Sequence, residues 1–166
     1  EAGLESLAQV AHRWDFYKSL VTPACAVFVD QSIGLLREAI GQFQGVGLVA
    51  SHNDICNANW LVSADGRIYL IDYESMSLDD PALDVGAILW WYYPLNLQAQ
   101  FLEMAGYGNA DDFRNRMRIR MAIHCLNIIL PRENSFDQFV PNAFDQSLED
   151  FRAVLAGQEN PQGYAG

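Results

Sequence analysis

The sequence predicts an α+β fold, mostly α, in which a small β-hairpin carrying a polar loop sits between groups of helices. Three observations predict it. Apolar residues recur every three to four positions through both ends of the chain, the period of a helix with one buried face. Between residues 46 and 71 that period gives way to short runs of β-branched and aromatic residues broken by a turn. The 166 residues, 51% of them apolar, suffice for one sizeable core and are too hydrophobic for a disordered chain.

The first helix is expected over residues 3–20, with Leu4, Leu7, Ala11 and Trp14 on one face. Thr22 before Pro23 reads as the cap and first residue of a second helix. The hydroxyl can accept an unpaired N–H of the first turn, and proline has none there to leave unpaired. That helix turns Phe28, Leu35, Leu36, Ile40 and Phe43 toward the core and ends at Gly45 and Gly47. Residues 46–50 form a short apolar run and 51–58 are polar and turn-like. Residues 60–62 and 68–71 read as strands, joined by the turn Ala64-Asp65-Gly66-Arg67. Asp80-Pro81 opens a helix that carries Leu83, Val85, Ile88 and Leu89 to Tyr93, where Pro94 ends it. A shorter helix covers 96–105. Phe113, Met117, Met121, Cys125 and Ile128 mark a further stripe, and a last helix spans 142–156 and stops at Gly157. Residues 1–157 are read as one folded unit and 158–166, with a proline and two glycines, as a flexible tail.

Composition removes several classes of function. With 21 acidic against 10 basic side chains the net charge is -11, which repels polyanions and argues against a nucleic-acid partner. No apolar run reaches the roughly 18 residues of a membrane span, and residues 1–15 mix Glu, His, Arg and Asp with apolar positions, unlike a secretory signal. The three cysteines, Cys25, Cys56 and Cys125, are odd in number and widely spaced, which suits neither a zinc site nor a disulfide framework. The expectation is a cytoplasmic protein acting on a small neutral or cationic molecule, without a membrane or nucleic-acid partner.

Polar residues with chemical potential concentrate in the middle. His52-Asn53-Asp54 is followed by Asn59, and Asp72 stands thirteen positions after Asn59. Phosphoryl transfer to a hydroxyl needs a carboxylate to orient or deprotonate that hydroxyl, and Mg²⁺ held by hard oxygen donors such as a carboxylate and an amide. A loop leaving one strand and followed by another can bring Asp54, Asn59 and Asp72 to one edge. In that arrangement Asp54 is the base, and Asn59 and Asp72 hold metal.

The pattern H-x-D-x-x-x-x-N, then a strand and an Asp, resembles the catalytic loop and metal-binding Asp of the protein-kinase-like fold. More narrowly it resembles the aminoglycoside phosphotransferase and choline/ethanolamine kinase family. His52-Asn53-Asp54 stands where protein kinases have H-R-D, Asp72-Tyr73-Glu74 where they have D-F-G, and residues 79–86 resemble the D-P-x-x-D segment of that family. No A-P-E signature follows. The resemblance is close over 51–86 and loose in the flanking helices. It implies ATP as co-substrate, Mg²⁺ as cofactor, Asp54 as catalytic base, and Asn59 and Asp72 as ligands of metal and nucleotide. It also implies a supporting role for His52 within the loop, and for Asp84 a buttress to the loop backbone.

Glu74, Asp79 and Asp80 are candidate substrate contacts, and carboxylates there would suit a cationic acceptor. Trp90 belongs to the aromatic run 90–93, whose faces could cage an ammonium group. Core packing of part of that run is the competing reading, because four successive helical residues cannot face one ligand. Arg114, Arg116, Arg118 and Arg120, beside Asp111 and Asp112, read as a solvated mixed face. His12 and His124 receive no role.

A kinase of this type has a second, N-terminal lobe with a phosphate-covering loop and a strand lysine. Here no Gly-rich loop precedes residue 51 and the single lysine, Lys18, falls in a predicted helix. The chain therefore resembles the C-terminal lobe alone, with the nucleotide-binding lobe absent, and is expected to be inactive in isolation. Two functions stand at this point. One is the C-terminal lobe of an ATP-dependent kinase for an amino alcohol, a thiamine-like cation or an aminoglycoside. The other is a non-catalytic binding module that has kept a kinase-like lobe.

Overall fold

The computed structural model describes residues 2–43, 45–108, 111–132 and 135–163. Two long helices lead, α1 (Ala2–Tyr17) and α2 (Pro23–Gly41). Four short strands follow: β1 (Val49–Ser51), β2 (Trp60–Val62), β3 (Ile68–Leu70) and β4 (Ser77–Asp79). The helices α3 (Ala82–Tyr92), α4 (Leu95–Met104), α5 (Asp111–Ile129), α6 (Pro141–Ser147) and α7 (Glu149–Leu155) complete the chain. No helix among the described residues is long and apolar enough to cross a membrane.

Leu7, Val10, Trp14 and Tyr17 repeat at intervals of three to four and are all fully buried, which fixes the inward face of α1. Trp14 Nε1 donates to Asp30 Oδ1 of α2 at 2.8 Å, and Tyr17 Oη donates to the Arg132 carbonyl at 2.6 Å. The Thr22 cap forms as expected: its hydroxyl accepts from Cys25 N–H at 3.3 Å and Pro23 takes the first turn. The helix α5 packs against α1, α2, α3 and α7 and is the central post of the molecule. The main core gathers around it. A smaller cluster of Ala82, Leu89, Leu102, Phe113 and Met117 fills the space between α3, α4 and the start of α5.

Several expectations shift by a turn or a face. The helix α2 ends at Gly41 rather than Gly45. Leu35 is 66% exposed and Ile128 is 51% exposed, each lying at the flank of a stripe whose centre is buried. The last helix is two short ones, α6 and α7, broken at Leu148, whose ψ of 0° departs from the helix while its side chain is fully buried. Within the expected tail, Asn160 is buried and its Nδ2 donates to the Trp90 carbonyl at 3.2 Å, so the segment is docked there.

The strands form two antiparallel ladders. In one, Trp60 pairs with Leu70 and Val62 with Ile68 around a turn where Gly66 takes φ +80°. In the other, Val49 pairs with Asp79 and Ser51 with Ser77. The polar loop is therefore not carried by the hairpin alone. It leaves β1 of one ladder and enters β2 of the other, so both ladders fix its ends.

Candidate active site

The loop from His52 to Asn59 is anchored from below. Asp84, in the first turn of α3, accepts the backbone N–H of His52 at 2.6 Å through Oδ2 and that of Asn53 at 2.9 Å through Oδ1. A carboxylate taking two N–H groups sets the direction of the chain at that point. Asn53 then adopts φ +64°, a left-handed conformation that asparagine tolerates better than most residues. Its Nδ2 donates to the Ser75 carbonyl at 3.0 Å and to Ser77 Oγ at 2.8 Å, tying the loop to β4. The His52 ring is buried, lies edge-on to Tyr73, and pairs through Nε2 with the Ile71 carbonyl at 2.9 Å. As Nε2 faces a carbonyl, it carries the proton. The ring thereby joins the loop to the residue before Asp72 and is not presented to a substrate.

Asp54 is exposed at the turn beyond. Asn59 is buried and its Nδ2 donates to the Asp54 carbonyl at 2.8 Å and to Asp54 Oδ2 at 3.2 Å. The Asn59 carbonyl in turn accepts from Ile71 N–H at 2.9 Å, which sets the backbone of Asp72 beside it. Asp72 itself is exposed and left-handed at φ +65°. Asp54, Asn59 and Asp72 are thus linked through Asn59 and Ile71 at one edge of the two ladders.

The donor set fits Mg²⁺. With the Asn59 NH₂ turned to Asp54, its amide oxygen is left as a hard donor, and the Asp72 carboxylate would be the second. Mg²⁺ characteristically takes one or two protein oxygens and completes its shell with phosphate and water. Among the described residues no cluster of three or more His, Cys, Asp or Glu side chains could hold a metal ion.

Behind Asp54 lies a cavity of about 160 Å³ whose walls include Cys56, Asp84, Trp91, Tyr92 and His124. Tyr92 Oη accepts from Asn57 N–H at 2.7 Å and holds the far side of the loop. On α3 residues 84, 87 and 91 share the face that meets the loop, as the helical period requires. Trp90 belongs to another face. It is buried in the main core, 8% exposed, and lies outside the Asp54 cavity, whose aromatic members are Trp91 and Tyr92.

Asp79 and Asp80 also differ from expectation. Asp79 Oδ2 accepts from Arg120 Nη2 at 2.5 Å and Asp80 Oδ2 from Arg116 Nε at 2.9 Å, with both carboxylates buried. Asp79 Oδ1 accepts from Asp80 N–H at 2.7 Å, and Asp80 Oδ1 caps α3 by accepting from Ala82 N–H at 3.0 Å. These groups fasten β4 to α3 and α5 and are committed before any substrate arrives. Arg116 and Arg120 correspondingly leave the solvated face expected of them, while Arg114 and Arg118 remain on it. Glu74 stays exposed beyond Asp72.

His124 was not legible as a site residue. It lies on α5 beside the Asp54 cavity. Burial pushes its pKa below the ordinary histidine value, the Asp54 charge opposes this, and Arg120 reinforces it. The one signal in the sequence is that it interrupts an apolar stripe on a buried helix.

A model of the Phosphotransferase enzyme family (APH) matches residues 9–120, from α1 through the two ladders and into α5, and so takes in the whole Asp54–Asn59–Asp72 edge. The chain belongs to that phosphotransferase family.

Proposed function

We propose that the protein transfers the γ-phosphoryl group of ATP to a hydroxyl of a small molecule, with Asp54 as general base and Asn59 and Asp72 as ligands of Mg²⁺. The observation that carries this reading is the pair of hydrogen bonds from the Asn59 amide to the carbonyl and carboxylate of Asp54. With Oδ2 engaged by Asn59, Asp54 Oδ1 is the atom left to take a proton. As the acceptor oxygen bonds to phosphorus, its proton passes to Asp54 and the P–O bond to the departing ADP breaks. Mg²⁺, when bound, neutralises charge on the phosphate oxygens. Asp84 and His52 act on this chemistry only by holding the loop.

The chain reads as the C-terminal lobe of such a kinase. Leu61, Val62, Ile68 and Tyr69 of the hairpin are exposed, and an apolar surface flanking the site is a surface on which a nucleotide-binding lobe would pack. On this reading the isolated chain binds ATP·Mg²⁺ weakly and turns over little. The free cysteines suit a reducing, cytoplasmic setting. A cationic acceptor, whether an amino alcohol or an aminoglycoside, keeps Glu74 as its exposed carboxylate, since Asp79 and Asp80 are occupied by arginines.

Titration calorimetry of the full-length protein with ATP, with and without Mg²⁺, tests the metal assignment. The expected result is Mg²⁺-dependent binding in the wild type that is lost in Asp72→Ala and weakened in Asn59→Ala. Equal Mg²⁺ dependence in all three proteins would overturn it.

A further inference from the structure

On the side of α3 turned away from the loop lies a cavity of about 360 Å³, bounded by α3, α4, α5, α7 and the segment that follows α7. Gly86, Leu89 and Trp90 line it, whereas Asp84, Ala87 and Trp91 line the cavity at Asp54, so the two occupy different faces of one helix. Its interior is apolar. Leu102 from α4, Met117 and Met121 from α5 and Val154 from α7 stand around Leu89. Methionine side chains adapt to the shape of an occupant, and the volume suits a small ligand.

The polar part of the wall holds donors in excess of acceptors. Gln98 Nε2 already donates to the Leu89 and Tyr93 carbonyls at 3.3 and 3.1 Å, and Asn160 Nδ2 to the Trp90 carbonyl. Arg114 and Arg118 are exposed and form no ion pair among the described residues. Arg114 Nη2 donates to the Gly108 carbonyl at 3.4 Å and Arg118 Nη2 to Asn115 Oδ1 at 2.9 Å, which leaves most of the N–H groups of each guanidinium unused. Trp90 Nε1 is buried without a hydrogen-bond partner among the described residues. The one carboxylate in the wall, Glu159, accepts from Leu95 N–H at 3.3 Å at the start of α4. Two cations therefore face one anion here, in a chain whose net charge is -11.

We propose that this cavity binds a small carboxylic acid with an apolar body, its carboxylate held by Arg114 and Arg118 and its hydrocarbon laid against Leu89, Leu102, Met117 and Met121. The two arginines stand four positions apart on α5, one helical turn, so their heads can converge on a single anion. A guanidinium meets a carboxylate through parallel charge-assisted hydrogen bonds, which an alcohol matches poorly and an ammonium cannot form. Burial of the body removes apolar surface from water, and a ligand oxygen that reaches the Trp90 indole relieves an unpaired buried donor. The site is separate from the Asp54 edge and stands whether or not that edge transfers phosphate.

The test is an NMR titration of the full-length protein with octanoate, octan-1-ol and octylammonium, which share a hydrocarbon chain and differ in the head group. Octanoate is expected to move the Trp90 indole N–H signal, identified by its loss in Trp90→Phe. It should bind about three- to tenfold more tightly than octanol, with octylammonium the weakest of the three. Arg114→Gln combined with Arg118→Gln should bring octanoate down to the affinity of octanol, and folding is spared because both side chains are exposed. Ala99→Trp, at an exposed position of the wall, should block octanoate and octanol alike. Octanol or octylammonium binding at least as tightly as octanoate, or octanoate held as tightly by either altered protein as by the wild type, would overturn the proposal. So would an unmoved Trp90 signal, the result if a segment of the protein's own chain occupies the cavity. Movement of all four indole signals together, the mark of unspecific adsorption, would overturn it as well.

Discussion

The carboxylate of Asp84 accepts the backbone N–H of His52 at 2.6 Å and reaches Asn53 N–H with its other oxygen. The direction in which Asp54 leaves the loop is set from α3, a helix that begins 28 residues after Asp54 at Ala82. Asp84→Ala would leave two loop donors without their acceptor. The expected cost is about 2–3 kcal/mol of stability for hydrogen bonds to a charged group, with a fall in turnover larger than the loss of folded protein explains. Chemical denaturation alongside kcat measurement checks both. Asp84→Asn, which keeps one acceptor oxygen, should fall between.

Asp79 and Arg120 form a buried ion pair across 41 positions of sequence. Removing one member strands the other charge, so Asp79→Ala is expected to cost about 3–5 kcal/mol. The double replacement Asp79→Leu with Arg120→Met removes both charges and should recover most of that loss. Urea midpoints of the two single variants and the double variant measure the coupling, and additive losses would contradict the account.

Gly86 faces α5 where α3 packs on it. A Cβ there would lie 2.9 Å from Met121 Cγ and 3.5 Å from the Met117 carbonyl. Gly86→Ala should therefore destabilise by about 1–3 kcal/mol through overpacking, despite the better helix propensity of alanine. In a Met121→Ala background, which carries its own cavity cost, the same change at Gly86 should cost less than in the wild type, and thermal melting of the two single variants and the double variant measures that difference.

The cysteines differ in exposure. Cys56 is half-buried at the loop, while Cys25 and Cys125 are buried. A thiol reagent should modify Cys56 in the native protein and reach the other two only on unfolding. Burial also pushes the Cys125 thiol from 9.0 up to about 12. A folded pKa above the unfolded one means that the folded state holds its proton longer. The associated stability is complete below pH 9.0 and is lost as pH rises toward about 12. Denaturation curves from pH 8 to 11 should fall more steeply for the wild type than for Cys125→Ala.

Much of the site is legible in the sequence because its chemistry is local. His52, Asp54, Asn59 and Asp72 lie within one loop and one hairpin, and their spacing alone suggests a shared edge. The helical faces of α1 and α5 follow from apolar period in the same way, whereas α3 is apolar nearly all round and buries Gly86, Ala87 and Trp90 instead of Leu83, Val85 and Ile88. What is hidden depends on distant partners. Asp79 and Asp80 read as exposed charges until Arg120 and Arg116 are known to approach them, and the alternating arginines read as solvated for the same reason. The strand β4 escapes notice because three residues with a single apolar member, Leu78, have no local signature, and only pairing with β1 defines them. His124 is silent until the fold brings α5 up to the loop.

The most direct test of the central claim is phosphate transfer from γ-labelled ATP by the full-length protein and its Asp54→Asn variant, across a panel of hydroxyl compounds. Transfer is expected in the wild type, with a fall of about 10²- to 10⁴-fold in kcat for Asp54→Asn and Mg²⁺-dependent ATP binding unchanged in that variant. Equal transfer by the two proteins would contradict it.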